Sequence, residues 1–356
     1  MNNPSMVNLP FVYAFLLKTK RQWQWMIGVG VLICIILYAI LAFPNAHAPN
    51  RLLVIPKGCT RYQLKSKLEN EGHIKNGTIF LWATYLLRYY PENRPGQYKI
   101  MAHMDNWQMI RMLRGGMQHP VKLTFATAAN KASLIDQLVR PIGITKAPLW
   151  ALLNDAEKLS AYGFTPENVL TMFIPDTYEI YWTITAEQLI SKIHLAYQRF
   201  WHTIRLNKAK KIGLSPTDVS ILASIVQAET NDPQEAAKIA GVYLNRLKRH
   251  MPLQSDPMLI YALKEKQCGI KRVLQQDTYM DSPYNSYRRK GLPPGPIGLP
   301  SMAMIDAVLN YIPHDYLFFS AKEDWSGLHY FARSYTAHLK NAYKYRKALN
   351  KLKIMR

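Results

Sequence analysis

The chain has 356 residues and a formal net charge of +22, from 45 Lys and Arg residues against 23 Asp and Glu residues. This length allows two or three domains with a sizeable hydrophobic core. A strongly basic chain is a candidate nucleic-acid binder, but the sequence contains neither a Gly-rich phosphate-binding loop nor a zinc-type Cys/His spacing. We therefore expect no nucleic-acid partner and no metal site.

The N-terminal part has the pattern of a membrane anchor. The first 43 residues contain no acidic residue, and residues 25–43 form a run of 19 residues without charge. A run of this length is about long enough to cross a bilayer. Lys18, Lys20 and Arg21 precede it, and basic residues favour the cytoplasmic side. We predict a cytoplasmic N-terminus at residues 1–24 and a single transmembrane helix at residues 25–43 in the cell (inner) membrane. The rest of the chain is expected on the periplasmic (extracytoplasmic) side.

A cleaved signal sequence is the alternative interpretation of this segment. Ala46, His47 and Ala48 resemble the small-residue site that signal peptidases cut. The apolar run is longer than a usual signal core, and 24 residues precede it. These two features favour an anchor that is retained.

A small mixed module is predicted after the anchor, at residues 44–118 including a short polar linker at residues 44–50. Alternating apolar residues indicate strands, and three-and-four spacing indicates helices. In chain order we predict a strand at 51–55, helices at 62–71 and 78–89, a strand at 96–100 and a helix at 106–114. Cys34 lies in the anchor, and Cys59 and Cys268 fall in different predicted domains. We therefore expect free or buried thiols rather than a disulfide.

A larger α+β domain is predicted at residues 119–345, followed by a basic C-terminal tail at 346–356. A strand at 121–125 leads into residues 126–212, which are mainly helical in pattern with a turn at Asp176, Thr177 and Tyr178. Residues 250–300 have little regular periodicity, and such loops often carry sites. Two closing strands are predicted at 318–320 and 328–331.

Glu229 is the leading candidate for a catalytic residue, because it ends an apolar, well-capped helix. Ser215 is a predicted N-cap, Pro216 takes the first helical position and Asp218 completes the start signal. The helix that follows is apolar along its core-facing stripe. A carboxyl group at the end of such a helix would be partly desolvated, which raises its pKa and keeps it protonated as a proton donor. A solvated glutamate in a last helical turn is the plain alternative.

A second helix begins directly after Glu229. Asp232 is its predicted cap, Pro233 takes the first position, and Glu235 is predicted to close the capping box. Glu229 is therefore expected at a corner between two helices, where its side chain can face a cleft.

Several short motifs accompany this corner in a defined order. They lie at residues 245–247 (Asn-Arg-Leu), 253–257 (Leu-Gln-Ser-Asp-Pro), 282–287 and 291–297, with Pro-Asp-Thr-Tyr upstream at 175–178. Their order and spacing closely resemble the endolytic murein transglycosylases of the YceG-like (MltG) family, over roughly residues 50–345. The small module resembles the LysM-like module that precedes the catalytic part in that family. It would hold glycan strands, or serve as a packing or spacer domain.

The resemblance implies a lytic transglycosylase mechanism for Glu229. Ordinary glycosidases need two carboxylates, whereas here one carboxyl protonates the oxygen that links MurNAc to GlcNAc. It then accepts the proton of the C6 hydroxyl, which closes a 1,6-anhydro ring without water or cofactor. Asp256 is a candidate second carboxylate, but between Ser255 and Pro257 it is better placed to cap a turn. Because the implied mechanism uses only the carboxyl group of Glu229, we expect no cofactor.

One departure from the family pattern concerns Gln227. Family members often carry two glutamates near this helix end, and Gln227 stands at the position expected for the first of them. If that position were the catalytic one, this chain would be impaired. Glu229, however, matches the acid within the pattern Ala-Ser-Ile-Val-x-x-Glu at residues 223–229. Gln227 can still form hydrogen bonds at the edge of the cleft.

The other candidate residues are polar side chains expected to line the cleft. They suit the acetamido and hydroxyl groups of sugars, and Tyr284 can stack on a sugar face. The predicted substrate-binding set is Gln227, Asn245, Gln254, Asp256, Tyr284 and Asn285. Arg246 and His329 are weaker candidates, and a structural role is the alternative for each residue taken singly.

The predicted partners are peptidoglycan glycan strands, the membrane through the N-terminal helix, and cell-wall synthases. Subtracting the three N-terminal positive charges leaves +19 on the exterior part. A basic exterior suits both the carboxylates of stem peptides and an anionic membrane surface. A non-catalytic glycan-binding scaffold of the cell-wall synthesis machinery is the alternative function.

Overall fold

The computed structural model describes residues 9–47, 51–264 and 273–351. It confirms a mixed α+β protein in which helices predominate and the strands form two-stranded sheets. The chain folds into two compact units. The first is Met1–Val121 with Tyr181–Thr183, and the second is Lys122–Ile180 with Ile184–Arg356.

The first unit contains one long helix and a small mixed module. Its elements are α1 (Leu9–Leu41), β1 (Arg51–Ile55), α2 (Arg61–Asn70), α3 (Gly77–Leu86), β2 (Gly96–Ile100) and α4 (Asn106–Arg114). Both strands and α4 have the predicted bounds, whereas α3 ends at Leu86 rather than at residue 89. Within the described residues, α1 is the one helix long and apolar enough to cross a membrane, with a mean hydropathy of 2.3 over Arg21–Leu41.

The core of this module lies between the sheet and its helices. β1 and β2 pair antiparallel with Leu53 opposite Tyr98, and alternate residues of both strands are buried. This period of two places one face of the sheet against the core. Leu64 and Leu68 of α2 and Met109 of α4 fill the space beneath it. Cys59 is also buried there, and burial raises the pKa of its thiol.

Residues 44–47 are part of the module, so the prediction of a polar linker from residue 44 is wrong for them. The backbone amide of Ala46 donates to Met104 O at 2.9 Å, and the amide of Lys75 donates to Asn45 O at 2.8 Å. Asn45 and Ala46 are both buried. Composition suggested a solvated linker, but these hydrogen bonds satisfy the polar backbone inside the fold. The rest of the predicted linker lies outside the described residues.

The second unit is mainly helical. Its elements are β3 (Val121–Phe125), α5 (Lys131–Val139), α6 (Lys146–Leu152), α7 (Ala156–Ser160), β4 (Asp176–Ile180), α8 (Ala186–Phe200), α9 (Thr203–Ile212), α10 (Pro216–Glu229), α11 (Pro233–Lys248), α12 (Asp256–Lys264), α13 (Met302–Leu309), β5 (Phe318–Ala321), β6 (His329–Ala332) and α14 (Tyr335–Lys351).

Two predicted irregular segments are regular in the structure. Asp176, Thr177 and Tyr178 belong to β4 rather than to a turn, because β4 pairs with β3 and the Thr124 and Thr177 hydroxyls meet at 2.8 Å. In the segment predicted to lack periodicity, α12 is a helix of nine residues. Its pattern was too short to recognise in the sequence. The predicted domain boundary at residue 345 falls inside α14.

The core of the second unit surrounds α10. This helix is buried from Val219 to Val226 and packs against α11 and α13. Its start confirms the sequence pattern, because Ser215 and Asp218 form the predicted capping box and Pro216 takes the first position. A helix buried on every side is held firmly, so its last residue, Glu229, has a fixed position.

Candidate active site

Glu229 lies at the predicted corner between two helices. α10 ends at Glu229, Thr230 adopts an extended conformation, and α11 begins at Pro233 with Asp232 as its N-cap. The Asp232 side chain accepts a hydrogen bond from the amide of Gln234. The Glu229 side chain is half-buried. The corner therefore presents one carboxyl group at the edge of the core.

Two hydroxyl groups hold the Glu229 carboxyl. Tyr243 Oη of α11 donates to Glu229 Oε1 at 2.7 Å, and Ser255 Oγ donates to the same oxygen at 3.0 Å. Because Oε1 accepts both hydrogen bonds, a proton carried by this carboxyl belongs on Oε2. The same two donors stabilise the carboxylate once that proton has left. The arrangement suits a group that loses and regains a proton.

The pKa of Glu229 is raised, as the sequence predicted. Burial is the largest cause, because it disfavours the charged form. The hydrogen bonds from Tyr243 and Ser255 and the nearby His329 lower the pKa of Glu229, and the charge of Asp256 raises it. The position of Glu229 at the carboxyl end of α10 acts in the same direction as burial, since the helix dipole is negative there. The protonated form is therefore favoured over a wider pH range than in an exposed glutamate.

The structure corrects the predicted role of Glu235, which does not close a capping box. Its buried carboxylate binds His329 of β6 twice: Oε1 accepts from the backbone amide at 2.7 Å, and Oε2 lies 3.1 Å from Nδ1. This pair joins the first turn of α11 to the closing hairpin. It also holds His329 where its charge, when protonated, acts on Glu229. His329 is thus positioned by a specific carboxylate rather than being a plain core histidine.

Asp256 lies beside the Glu229 carboxyl at the start of α12. Its Oδ1 accepts a hydrogen bond from Tyr287 Oη. Burial and the charge of Asp256 raise the pKa of Tyr287, so this phenol stays protonated and acts as a donor. The side chain of Asp256 is exposed. Two carboxyl groups therefore lie in one site in different environments: Glu229 is half-buried, whereas Asp256 is exposed and hydrogen-bonded to a phenol.

The loops predicted to line the cleft meet at Ser255. The amide of Ser255 donates to Ser286 Oγ at 2.9 Å, and the amide of Gln254 donates to Ser286 O at 3.0 Å. Ser255 in turn binds Glu229, so the 254–257 and 282–287 segments lie together beside the carboxyl group. Arg246 supports them from beneath: its buried guanidinium donates to the carbonyls of Leu253 at 2.8 Å and Leu317 at 2.6 Å.

Two predicted substrate-binding residues keep part of their surface accessible. Gln254 is exposed and has a positive φ of 49°, and Arg246 Nη1 donates to its Oε1 at 3.2 Å. Tyr284 is half-buried, with its ring 4.8 Å from that of Tyr261. Gly295 lies close to both Glu167 O and Tyr284 Oη, so any larger residue there would collide with the Glu167 carbonyl.

Three further predicted residues use their amide groups inside the protein. Gln227 Oε1 accepts from the amide of Ser301 at 2.8 Å. Asn245 Nδ2 donates to His314 O at 2.7 Å and to Tyr316 O at 3.0 Å. Asn285 is fully buried, and its Nδ2 donates to the carbonyls of Thr278 and Met280. Each of these side chains fixes a loop that surrounds the site.

Asp176, which was predicted to lie in a turn, borders a groove in the second unit. It lies in β4, and the groove has a volume of about 920 Å³. The groove is also lined by α8, with Lys192 and Arg199 among its residues, and by Met302 of α13. The amide of Ser301, next to Met302, binds Gln227. The groove is thus connected through one residue to the helix end that carries Glu229.

Tyr243 and Ser255, which hold Glu229, were not identified from the sequence as functional residues. Tyr243 did leave a signal: it shares an α11 stripe with Ala236 and Ala240, and a tyrosine on a buried stripe needs a hydrogen-bond partner for its hydroxyl. Ser255 left no such signal. Its role depends on the meeting of two loops far apart in the sequence.

Known proteins resemble this chain over most of its length. The sequence model of the YceG-like family matches residues 53–344. An endolytic murein transglycosylase of Streptococcus pneumoniae is 28% identical over 320 residues, which cover 81% of this chain and 57% of that protein, so the chain spans little more than half of that relative. The endolytic murein transglycosylase of Bacillus subtilis is 27% identical over 82% of this chain and 83% of its own length.

A solved structure supports the same relationship. The crystal structure of a YceG-like protein from Listeria monocytogenes superposes with a TM-score of 0.52 at 26% identity, over 82% of this chain and 98% of that one. The family match extends over both units and includes Glu229, Tyr243, Ser255 and His329. On these grounds the chain belongs to the YceG-like family.

Proposed function

We propose that this protein is an endolytic peptidoglycan lytic transglycosylase that cleaves the MurNAc–GlcNAc bond of nascent glycan strands. The observation that carries the proposal is the Glu229 carboxyl group, enclosed at a helix corner, with a raised pKa and two hydroxyl donors on one oxygen. The names of the relatives from Streptococcus pneumoniae and Bacillus subtilis support the same reaction.

Glu229 acts first as a general acid. The proton on Oε2 passes to the glycosidic oxygen, and the bond between that oxygen and C1 of MurNAc breaks. GlcNAc leaves with a free hydroxyl, and positive charge develops at C1. Tyr243 and Ser255 stabilise the carboxylate that forms, because each donates a hydrogen bond to Oε1. General acid catalysis of this kind typically contributes about 10²–10⁴-fold.

The same carboxylate then acts as a base. It accepts the proton of the C6 hydroxyl of MurNAc while O6 bonds to C1, which gives the 1,6-anhydro end and restores protonated Glu229. The proton balance closes without water. A second catalytic carboxylate is unnecessary in this scheme. Asp256, whose Oδ1 binds Tyr287, is assigned to positioning and to the electrostatic environment of Glu229.

The predicted substrate-binding residues divide into two groups. Gln254, Asp256 and Tyr284 are proposed to contact the sugars, because they are exposed or half-buried in the two segments that meet beside Glu229. Gln227, Asn245 and Asn285 are proposed to shape the cleft, because their amide groups hold the backbone of the surrounding loops. The sugar acetamido and hydroxyl groups are suitable partners for the first group.

The proposed location is the cell membrane, with the N-terminus in the cytoplasm and both folded units outside. The length and mean hydropathy of Arg21–Leu41 support an anchor. Cleavage near residue 48 would remove Asn45 and Ala46, which are buried in the module. A retained anchor therefore fits the fold better than a cleaved signal. The cell-wall synthases that elongate glycan strands are proposed as partners.

The test is the chemistry of the product. Purified full-length protein is incubated with peptidoglycan, and the new ends are identified by mass spectrometry. The proposal expects 1,6-anhydroMurNAc ends from wild-type protein and none from Glu229→Gln. Reducing ends would instead indicate a hydrolase, which needs a water-activating base. Absence of cleavage by folded wild-type protein would favour the non-catalytic glycan-binding scaffold.

A further inference from the structure

The end of α1 is built into the small module. Asn106 Nδ2 donates to Ile40 O at 2.7 Å, and Ile40 and Leu41 pack against the module core. The next residues of the chain form two isolated β-bridges to the module, Pro44 with Asp105 and Ala46 with Ile74. The helix therefore enters the module directly, without a solvated spacer.

A buried amide cluster fixes this junction. Asn45 Nδ2 donates to Asn76 O and to Asn106 Oδ1, both at 2.9 Å, and Asn45 Oδ1 accepts from the amide of Asn76 at 2.9 Å. Asn45 and Asn106 are 5% and 0% exposed. Buried amides with satisfied hydrogen bonds specify one geometry, because any other leaves polar groups unpaired. The module thus has a fixed orientation on the end of α1.

The length of the apolar run determines how close the module lies to the bilayer. In the structure the apolar part of α1 that could cross a membrane is Arg21–Leu41, which has 21 residues. At about 1.5 Å per residue it covers about 31 Å, close to the hydrocarbon thickness of about 30 Å. Ile40 and Leu41 are therefore the last residues in the hydrocarbon and also the first that touch the module. The module surface next to them has to lie in the headgroup layer.

The side chains around this exit have the chemistry of an interfacial surface. Phe43, Met101 and Trp107 are exposed at 60%, 52% and 48%. Trp107 follows Asn106, which binds Ile40, and Met101 precedes the turn that binds residues 45 and 46. Lys75 and Arg111 are exposed beside them, and Arg111 lies one turn beyond Trp107 on the same face of α4. We call these five residues the exit collar.

We propose that the exit collar binds the headgroup layer of an anionic membrane and seats the module on the bilayer. Phe43, Met101 and Trp107 enter the interface, where amphipathic aromatic side chains are favoured. Lys75 and Arg111 bind lipid phosphates. The carboxylate of Asp105, which also lies at this surface, is used as the N-cap of α4. The inference rests on the proposed membrane anchor, but not on the proposed catalytic activity.

The test uses full-length protein in vesicles that contain lipids brominated near the headgroup, which quench nearby tryptophans. The contribution of one tryptophan is the difference in emission between wild type and its Trp→Phe variant. Three variants are compared: Trp107→Phe for the collar, Trp25→Phe for the anchor, and Trp150→Phe as a matched control, since Trp150 is 49% exposed in the second unit. We expect quenching of the Trp25 and Trp107 contributions and none for Trp150.

Lipid charge tests the basic residues. Lys75→Glu with Arg111→Glu should reduce Trp107 quenching in vesicles with phosphatidylglycerol, and each basic residue near such a surface changes binding by about fivefold. In neutral vesicles the same pair should have little effect. Arg140→Glu with Lys211→Glu, at two exposed positions of the second unit, is the charge-matched control.

The outcomes separate the anchor from the collar. Quenching of Trp25 without quenching of Trp107 would overturn the proposal while leaving the anchor intact. Quenching of Trp107 that is equal in neutral and anionic vesicles, and unchanged by the Glu pair, would overturn binding to lipid phosphates. Absence of Trp25 quenching would overturn both the anchor and the collar. None of these readouts involves peptidoglycan, so failure of the proposed activity is detected separately.

Discussion

Two polar clusters, one in each unit, differ in kind. In the first unit, Asn45 and Asn106 form a cluster of neutral amides between an apolar helix and the module. In the second unit, the cluster is built around the Glu229 carboxyl group, which accepts a hydrogen bond from the Tyr243 phenol and has a raised pKa. Neutral amides fix a geometry at any pH. Ionisable groups fix a geometry only in particular protonation states, and they can move protons. The difference distinguishes a structural polar cluster from one suited to catalysis.

Glu229→Gln removes the transferable carboxyl proton on which the proposed catalysis by the second cluster depends. The variant keeps the size and hydrogen-bonding capacity of the side chain but can neither donate nor recover a proton. We expect cleavage of peptidoglycan to fall by about 10²–10⁴-fold or more, because both half-reactions use this group. The measurement is the rate of appearance of anhydro ends.

The stability of the same variant gives a second, independent readout. Burial raises the folded-state pKa of Glu229, so native protein binds more protons than unfolded protein between the two pKa values. The contribution of Glu229 to the free energy of unfolding therefore decreases as the pH rises between these two pKa values. Gln does not ionise, so the variant does not lose stability in this way. At neutral pH, Glu229→Gln should be at least as stable as wild type in urea unfolding, and a strong loss of stability would show that Glu229 is structural.

Arg246→Ala tests whether a buried charge can serve structure alone. Its guanidinium supports the carbonyls of Leu253 and Leu317 and Gln254 Oε1. Each hydrogen bond to a charged group contributes about 1.5–3 kcal/mol, so we expect a loss of about 3 kcal/mol or more in the free energy of unfolding. Arg249→Ala, exposed at the end of the same helix, should change it by less than about 0.5 kcal/mol. Equal effects would contradict the assignment.

Two substitutions of Asn45 test how a neutral amide cluster differs from an ionisable one in the pH dependence of stability. Asn45→Ala leaves partners on Asn76 and Asn106 unpaired and should cost about 2–3 kcal/mol at every pH. Asn45→Asp places an ionisable group in the neutral cluster. Burial should raise its pKa, so the native state should lose further stability as the pH rises above the unfolded-state value. Parallel pH profiles for the two variants, measured by chemical denaturation, would refute this view of the cluster.

Tyr243→Phe should shift the pH dependence of cleavage upward. The Tyr243 hydroxyl stabilises the Glu229 carboxylate, which lowers the pKa of Glu229 against the effect of burial. Without it the carboxyl stays protonated to higher pH, so the alkaline limb of activity moves to higher pH. We also expect about a tenfold lower maximal rate, from the loss of one hydrogen bond to a charged group. Ser255→Ala should shift the limb in the same direction.

Asp256→Asn should have the smallest effect and the opposite sign. The negative charge of Asp256 raises the pKa of Glu229, so its removal should move the alkaline limb to lower pH. Because Asp256 is exposed, we expect no more than about a fivefold change in rate. An inert Asp256→Asn beside a fully active Glu229→Gln would invert the assigned roles.

Local signals in the sequence were sufficient for the elements whose own residues define them. The capping box of Ser215 and Asp218, the strands at residues 51–55 and 96–100, and the apolar run of the anchor all depend on neighbours within a few positions. Glu235 shows the limit of such signals. It stands at the position that a capping box requires, but it binds His329, a residue 94 positions away. The local sequence pattern limits the roles that a side chain can take, and its contacts with distant residues in the folded protein determine which role it takes.

The sequence by itself determined the helix corner, the identity of its terminal carboxyl group and the family resemblance, because each follows from short-range spacing or from an ordered set of motifs. The tertiary structure decided which hydroxyls hold Glu229, which polar residues around it are open and which are used internally, and that residues 44–47 join α1 to the module. These outcomes depend on contacts between segments tens of residues apart. Burial and hydrogen-bond partners exist only once those segments have met, and they set the pKa of Glu229 and the orientation of the module on the end of α1.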